Sequence, residues 1–240
     1  MSHPPEALAG RGALVTGASG GIGLAISHAL VQAGARVLMV ARGVERLAPA
    51  AAAAGGTAIA GDVADAGEVE RLRQRAVAEL GTVPDIVVSA AGAFDLAPVA
   101  TTPIEAFDRM LAVNLRAPFL LARAFLPGML KRGSGHLVTI GSVAGRTAFP
   151  HNGAYSASKF GVRGLHAVLD AELRGSGVRA TLVEPGATDT PLWDSVDRSR
   201  HPGLPPREAM LSVQAVADAV LFALTRPPDV DVRTLLLERT

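Results

Sequence analysis

A chain of 240 residues, 49% hydrophobic and 19% charged, has the composition of a globular protein with a sizeable core, which excludes a disordered chain. Its formal net charge of +1 gives no electrostatic footprint for nucleic acid or an anionic membrane, and no apolar run approaches the ~20 residues that span a bilayer. It contains no cysteine, and its first residues lack the charged and apolar regions of a signal peptide, so we expect one soluble, cytoplasmic domain over residues 1–240 without disulfides or thiolate chemistry.

Short apolar runs alternate with longer amphipathic stretches along the chain. The apolar runs predict buried strands at 12–16, 36–41, 57–61, 85–89, 135–140, 178–183 and 232–237. The stretches between them predict helices at 24–35, 44–54, 65–80, 102–132, 155–174 and 212–225. Such alternation is typical of the α/β class, so we expect a doubly wound, Rossmann-like parallel sheet of about seven strands with helices on both faces.

The first strand runs into a glycine-rich turn, Thr-Gly-Ala-Ser-Gly-Gly-Ile-Gly at 16–23, and a helix follows. In dinucleotide sites the first glycine permits a tight turn, and the last two let the backbone approach a pyrophosphate at the helix N-terminus. A plain strand-to-helix turn is the alternative, whereas an ATP-binding P-loop is excluded because no Gly-Lys-Ser/Thr follows. The cofactor residues expected in this turn are Gly17, Ser19, Gly21, Ile22 and Gly23.

Arg42 directly follows the second strand, near the place where dinucleotide folds carry an acidic residue that bonds the adenosine ribose. Ala41 holds that place here. A carboxylate would repel a 2′-phosphate and a guanidinium pairs with it, so the sequence favours NADP(H), with NAD(H) as the alternative cofactor. Arg42 could instead be only the first solvated charge of the next helix. After the fourth strand, the small residues Ala90 and Gly92 allow a cofactor to lie close to the backbone.

Asn114 stands in the middle of the helix predicted at 102–132, where asparagine is unfavourable and is usually just exposed. Pro118, four residues later, has no N–H to donate to the Asn114 carbonyl. Asn114 is therefore also a candidate for holding a water molecule or for unwinding the helix locally.

The only tyrosine of the chain, Tyr155, is followed four residues later by Lys159, so in a helix the phenol and the ammonium share one face. We expect the cation to lower the pKa of Tyr155 from about 10 towards neutrality. Lysine is itself unusual here, because the chain has 21 arginines and 2 lysines. Ser142, just after the fifth strand, could hold a carbonyl oxygen against the phenol. The alternative is an ordinary solvated helix face.

Four residues, Pro185, Gly186, Thr188 and Thr190, leave the sixth strand at the edge where open α/β sheets bind ligands. The segment 191–211 that follows is polar, irregular and contains prolines. It is predicted to be a lid over the substrate.

With these motifs in place, the sequence resembles the short-chain dehydrogenase/reductase family over nearly its whole length. The glycine turn and the Pro-Gly turn match the family's cofactor motifs. Asp62 and Val63 stand where the family cradles the adenine. The family's catalytic tetrad falls on Asn114, Ser142, Tyr155 and Lys159. The chain departs from the family at Ser89-Ala90-Ala91-Gly92, which lacks two amides, and at Gly20, where some NADP-dependent members have a second basic residue.

The resemblance implies hydride transfer between a nicotinamide and a small carbonyl or secondary alcohol substrate. Tyr155 would exchange the proton, and Ser142 would hydrogen-bond the same oxygen. Lys159 would lower the tyrosine pKa and hold the nicotinamide ribose. Asn114 would anchor a water that links Lys159 to solvent, and Thr188 would hold the carboxamide.

The resemblance also bears on the substrate and on assembly. Phe94 and Phe149 suggest a partly apolar pocket, and the C-terminus is similar to the branch that acts on small hydroxy acids, amino-acid-like alcohols and diverse carbonyls. Arg146 could meet a substrate carboxylate or tie down its own loop, and His151 could touch the substrate. A homotetramer or homodimer packed through the two long helices is expected.

Two other functions stay open. One is a nucleotide-binding sensor or scaffold without catalysis, and the other is an epimerase or dehydratase that uses the same tyrosine–lysine chemistry on a retained cofactor. A serine hydrolase is excluded, because Ser142 does not stand in Gly-x-Ser-x-Gly, and the histidines do not have metal-ligand spacing.

Overall fold

The computed structural model describes residues 6–201 and 203–240 of the chain. Its strands are β1 (Gly12–Thr16), β2 (Arg36–Ala41), β3 (Thr57–Ala60), β4 (Ile86–Ser89), β5 (Gly135–Ile140), β6 (Val178–Pro185) and β7 (Thr234–Leu237). They form one sheet in the order β3-β2-β1-β4-β5-β6-β7, and every neighbouring pair is parallel. This order confirms the predicted doubly wound, Rossmann-like fold.

Helices cover both faces of the sheet. They are α1 (Gly21–Gln32), α2 (Val44–Ala54), α3 (Ala66–Leu80), α4 (Ile104–Leu111), α5 (Ala117–Arg132), α6 (Gly153–Glu172) and α7 (Val213–Leu224). On one face, α1, α2 and α7 pack with Ala13 and Val15 of β1, and on the other face α3 and α5 pack with Leu14. Alternate side chains of β1 thus enter two separate cores, which is why Ala13, Leu14 and Val15 are all apolar.

The long helix predicted at 102–132 is the main departure from the expected elements. A π-helical turn over Ala112–Arg116 separates α4 from α5. Because Pro118 cannot donate an α-type bond to the Asn114 carbonyl, the wider turn is favoured there. Smaller shifts occur elsewhere: α6 spans Gly153–Glu172 where 155–174 is predicted, and β7 begins two residues later than predicted.

Among the described residues, Ile104–Arg132 is long and apolar enough to cross a membrane by length and composition, with 29 residues and an 18-residue window whose mean hydropathy is 1.2. This corrects the expectation that no run approaches spanning length. In the fold its inner face packs against the sheet, with Leu121, Phe125 and Met129 fully buried. The stretch is therefore a core helix of this structure.

The carboxyl ends of β1, β4, β5 and β6 meet at one edge of the sheet. The register pairs Val15 with Val88, Ser89 with Thr139 and Ile140 with Val183, so these four strands end side by side. The chain order reverses between β1 and β4, and open α/β sheets bind ligands beside such a reversal. This edge carries the glycine turn and the loops that hold most of the predicted site residues.

Candidate active site

The glycine turn lies at the carboxyl end of β1, against the loop that follows β4. Gly17 has a φ of +68°, and a Cβ there would lie 2.8 Å from the Ala90 carbonyl oxygen, so only glycine fits. Gly21, with a φ of +53°, begins α1, and no side chain caps this helix. The first N–H groups of α1 are therefore open to an anionic ligand. Ser19 is partly exposed in the turn, and Ile22 lines the adjoining cavity.

Gly23 packs closely on the turn before it, and its expected approach to a pyrophosphate stays a prediction. It is buried in the first turn of α1. A Cβ at this position would lie 2.4 Å from the carbonyl oxygen of Gly17. Glycine here lets the helix pack directly on the turn that precedes it.

Thr16, the last residue of β1, joins the glycine turn to the loop after β4. Its buried hydroxyl donates to the Val88 carbonyl at 3.3 Å and accepts from the N–H groups of Ala90 and Ala91 at 3.1 and 3.2 Å. Sequence reasoning missed this role, although a hydroxyl at the end of a buried strand signals that internal partners are needed. Ala90 and Gly92 in the same loop line the cavity.

Ser142, Tyr155 and Lys159 converge on the cavity from the loop after β5 and from α6. The Lys159 Nζ atom lies 5.5 Å from the centroid of the Tyr155 ring, so the two side chains share a face of α6. The buried ammonium donates to the Ile140 carbonyl at 2.9 Å. Ser142 Oγ accepts from the Ala144 N–H at 3.1 Å, and its interaction with the Tyr155 hydroxyl lowers the pKa of the phenol.

The pKa of Tyr155 moves in the opposite direction from the expected one. Burial raises it to about 12, and the hydrogen bond with Ser142 offsets only part of the rise. Burial also lowers the pKa of Lys159 to about 8, and its ammonium bonds the Ile140 carbonyl. The expectation of a Tyr155 pKa near neutrality is therefore wrong for this arrangement.

The buried Lys159 predicts a pH dependence of stability. Its pKa falls from an ordinary value of 10.5 to about 8 on folding, so between these values the unfolded chain binds a proton that the folded chain does not. The free energy of unfolding of the wild type should therefore rise between pH ~8 and ~10, by an amount on the order of 1–3 kcal/mol. Above this window the raised pKa of Tyr155 has the opposite effect. Urea unfolding at pH ~8 and at pH ~10 measures this rise in the free energy of unfolding.

Two variants test whether Lys159 causes this rise. Lys159→Met should lose it, and Lys131→Met, which removes the other, exposed lysine, should keep it. Few other groups titrate in the window, because the chain has no cysteine and one tyrosine. A rise of equal size in Lys159→Met would show that the ammonium is not the cause.

Asn114, in the π turn, joins the loop after β4 to α6. Its side chain is buried, accepts from the Ala93 N–H at 2.8 Å, and donates to the Ala93 carbonyl at 2.9 Å and to Ser158 Oγ at 3.0 Å. The Ser158 hydroxyl in turn donates to the Tyr155 carbonyl at 2.7 Å. The side chain of Asn114 is thus a clamp, and only its backbone carbonyl is left as a candidate for the expected water.

Three predicted cofactor residues lie at the sheet edge but outside the cavity. Arg42 is exposed at the end of β2, and within the described part of the chain it makes no hydrogen bond or ion pair. Asp62 accepts from the Ala64 N–H at 2.9 Å in the turn after β3. Val63 is buried in one of the two cores. Of the three, Arg42 is the one whose polar side chain has no hydrogen-bond or ion-pair partner among the described residues.

The turn after β6 forms another side of the cavity. Gly186 donates its N–H to the Leu237 carbonyl at 2.8 Å, and the buried Thr188 hydroxyl donates to the Gly186 carbonyl at 3.0 Å. Thr190 stands beside the glycine turn. The predicted residues Pro185, Gly186, Thr188 and Thr190 all line the cavity.

The cavity has a volume of ≈ 480 Å³, and segment 191–211 covers part of it. Trp193 of this segment donates its indole N–H to the Thr188 carbonyl at 3.0 Å. The Phe94 ring contacts the Tyr155 and Trp193 rings edge-on, with centroid distances of 4.8 and 4.9 Å. Arg207 of the same segment forms an ion pair with Asp189 at 2.7 Å, which holds the segment to the turn after β6. Phe94 thus packs against one side of Tyr155 and connects it to segment 191–211.

Sequence reasoning missed a buried carboxylate next to the site. Glu184 of β6 is fully buried, and its oxygens lie 2.5 Å from Arg146 Nε and 3.1 Å from Arg163 Nε. Arg146 belongs to the Ser142 loop and Arg163 to α6, so the cluster ties three site elements together. This settles the two alternatives for Arg146 in favour of tying down its loop. The sequence signal was available: Glu184 is the one acidic residue in the apolar run of β6, and a carboxylate buried in a strand needs a partner of opposite charge.

Comparisons with known proteins agree with this geometry. A family model described as short chain dehydrogenase matches residues 11–201. The chain is 38% identical to the glycine betaine reductase of Emericella nidulans over 98% of its own length, but it spans only 19% of that protein. It is 40% identical to the D-threitol dehydrogenase of Mycolicibacterium smegmatis, over 78% of the chain and 75% of that protein. The structure of an alcohol dehydrogenase from the archaeon Thermococcus sibiricus, complexed with 5-hydroxy-NADP, matches with a TM-score of 0.86 and 30% identity, covering 96% of this chain and 97% of that one.

Proposed function

The chain belongs to the short-chain dehydrogenase/reductase family, and we propose that it is a cytoplasmic NADP(H)-dependent oxidoreductase acting on a carbonyl or secondary alcohol. The convergence of Ser142, Tyr155 and Lys159 on one cavity beside the glycine turn carries this proposal. Residues 1–240 form its single catalytic domain, and segment 191–211 acts as the substrate lid.

The residues at the sheet edge fit a dinucleotide. The uncapped N-terminus of α1 suits a pyrophosphate, and the free guanidinium of Arg42 suits a 2′-phosphate. The nicotinamide is assigned to the part of the cavity between Ile22, Thr188 and Tyr155. When bound, this group gives or takes the hydride.

The chain's own residues handle the proton. Because burial raises the pKa of Tyr155 to about 12, the phenol stays protonated at neutral pH, which is the form that carbonyl reduction needs. Tyr155 donates its proton to the forming alkoxide. Ser142, held through its Oγ by the Ala144 N–H, turns its own hydrogen to the same oxygen. Lys159 holds the nicotinamide ribose, and the Asn114 clamp keeps α6 in register with the loop after β4.

Consumption of NADPH over a panel of ketones, aldehydes and β-keto esters, together with formation of NADPH from NADP+ over a panel of hydroxy acids, tests the function. We expect turnover with at least one carbonyl class, and loss of that turnover in Tyr155→Phe. Tightly retained nucleotide without net NADPH oxidation would instead favour an epimerase or dehydratase. Failure to bind nicotinamide nucleotides would contradict the proposal altogether.

Arg42 predicts the cofactor preference. Arg42→Ser should lower kcat/KM for NADPH by about 10- to 100-fold, because a charge-assisted hydrogen bond to the 2′-phosphate is lost. The value for NADH, which has no 2′-phosphate, should change little. Arg46→Ser, an exposed arginine one turn further along, is the control and should leave both values unchanged. An equal loss of kcat/KM with NADPH and with NADH would show that Arg42 does not bind the 2′-phosphate.

A homotetramer or homodimer is part of the proposal. Apolar side chains stay exposed on the outer faces of the two long helical segments: Phe119 is 49%, Phe160 46% and Val168 53% exposed. Phe160 and Val168 are eight residues apart on α6 and so lie on one face. Burial of this surface between copies would stabilise an oligomer. Sedimentation that finds only the monomer would contradict it.

A further inference from the structure

We propose that the cavity selects neutral, largely apolar carbonyl compounds and rejects substrates that carry a carboxylate. The inference rests on the proposed oxidoreductase function and names the substrate class of the same site. This substrate class differs from the hydroxy acids and amino-acid-like alcohols that the C-terminus suggests. The side chains that a bound substrate would contact are what favour it.

The walls around Tyr155 are apolar. The loop after β4 contributes Phe94, the loop before α6 contributes Phe149, and the lid contributes Leu192, Trp193 and Leu204. A substrate placed with its carbonyl at the Tyr155 hydroxyl therefore meets aromatic rings and aliphatic side chains on three sides.

Lys159 is the only Lys, Arg, Asp or Glu side chain among the described residues that line the cavity. Its ammonium is 5% exposed and already donates to the Ile140 carbonyl at 2.9 Å. The other polar groups are neutral hydroxyls, an amide and two imidazoles. His151 and His201 face each other at the cavity, with 3.2 Å between their Nδ1 atoms. The Nδ1 atom of each imidazole thus has the other imidazole as its hydrogen-bond partner.

The nearby guanidinium groups are engaged elsewhere. Arg146 and Arg163 are held by the buried Glu184, and Arg207 pairs with two aspartates. Arg198 donates to the Pro205 carbonyl at 2.5 Å. Arg198 keeps one buried guanidinium nitrogen, Nη1, without a hydrogen-bond partner among the described residues. None of these four arginines lines the cavity, however, so none of them stands in its wall to neutralise an anion. A carboxylate that enters would lose its hydration without gaining a counter-ion, and that transfer is strongly unfavourable.

A matched set of substrates isolates the effect of charge. 4-Methylacetophenone, 4-acetylbenzamide and 4-acetylbenzoate share one ketone and one ring and differ in a remote group that is apolar, polar or anionic. The corresponding benzaldehydes form a parallel set. With NADPH and the wild-type enzyme, we expect kcat/KM for the anion to be at least about 100-fold below that of the methyl compound, and the amide to lie within about tenfold of it.

A charge placed in the wall provides the reciprocal test. Leu192 lines the cavity and is 41% exposed, so a longer polar side chain is accommodated there. Leu192→Arg should raise kcat/KM for the carboxylates at least about tenfold, and Leu192→Gln, of similar polarity without the charge, should not.

The outcomes separate this inference from the function on which it rests. If the wild type reduces the carboxylates as well as the methyl compounds, selection against anions is overturned and the oxidoreductase function stands. If Leu192→Gln raises kcat/KM for the carboxylates as much as Leu192→Arg does, then the missing positive charge is not what limits these substrates, and the inference fails. If protein that binds NADPH reduces no member of either set, this inference fails, whereas the proposed function fails only if the wider substrate panel is not turned over either.

Discussion

Replacing Tyr155 by Phe should lower kcat for carbonyl reduction by about 10²- to 10⁴-fold, the range expected for loss of a positioned general acid. The Tyr155 phenol lines the cavity beside Ser142 and stays protonated at neutral pH, because burial raises its pKa to about 12. Phenylalanine keeps the ring and its edge-on contact with Phe94, so NADPH binding should change little. Steady-state kinetics together with a fluorescence titration of NADPH measures both quantities.

A second aromatic side chain of the same cavity provides the control. Phe149→Leu alters the wall without removing a proton donor, so its effect should fall mainly on KM. Unfolding curves for both variants exclude a loss of fold as the cause. A Tyr155→Phe enzyme with wild-type kcat would remove the phenol from the mechanism and leave the cavity as a binding site.

The fold and the location of the site could be read from the sequence because both depend on local patterns. A strand such as β1 is buried on both faces, so its central residues are all apolar, and a glycine-rich turn marks its end. The i to i+4 spacing of Tyr155 and Lys159 puts both on one helix face whatever the rest of the chain does. The sheet order then brings Ser142 to the same edge.

The chemistry of the site depends on contacts between distant residues, which the sequence does not contain. The pKa of Tyr155 was predicted from the nearby ammonium alone, but burial has the larger effect and reverses the direction. The buried Glu184 pairs with two arginines, one in a loop 38 residues earlier in the sequence and one in a helix 21 residues earlier. The side chain of Asn114 likewise finds its partners at Ala93 and Ser158 only once the chain is folded.

Gly23→Ala should have the largest effect on the architecture of the cofactor site. A Cβ at this position would lie 2.4 Å from the carbonyl oxygen of Gly17, where the neighbour is backbone and cannot rotate away. Either α1 or the glycine turn must move, at a cost of about 3 kcal/mol or more, which corresponds to a fall in Tm of roughly 10 °C. Since the same movement displaces the first N–H groups of α1, NADPH binding should weaken at least about tenfold.

Gly20→Ala is a matched control for this prediction. Gly20 lies three residues earlier in the same turn, a Cβ there has open space within 4 Å, and its φ of 175° is extended backbone that any residue adopts. The same methyl group added to the same turn should therefore leave Tm and NADPH affinity close to those of the wild type. Thermal unfolding and titration of the two variants side by side decide the matter. If Gly23→Ala is as stable and binds NADPH as tightly as Gly20→Ala, then α1 does not need its close approach to the turn, and the cofactor site does not depend on it.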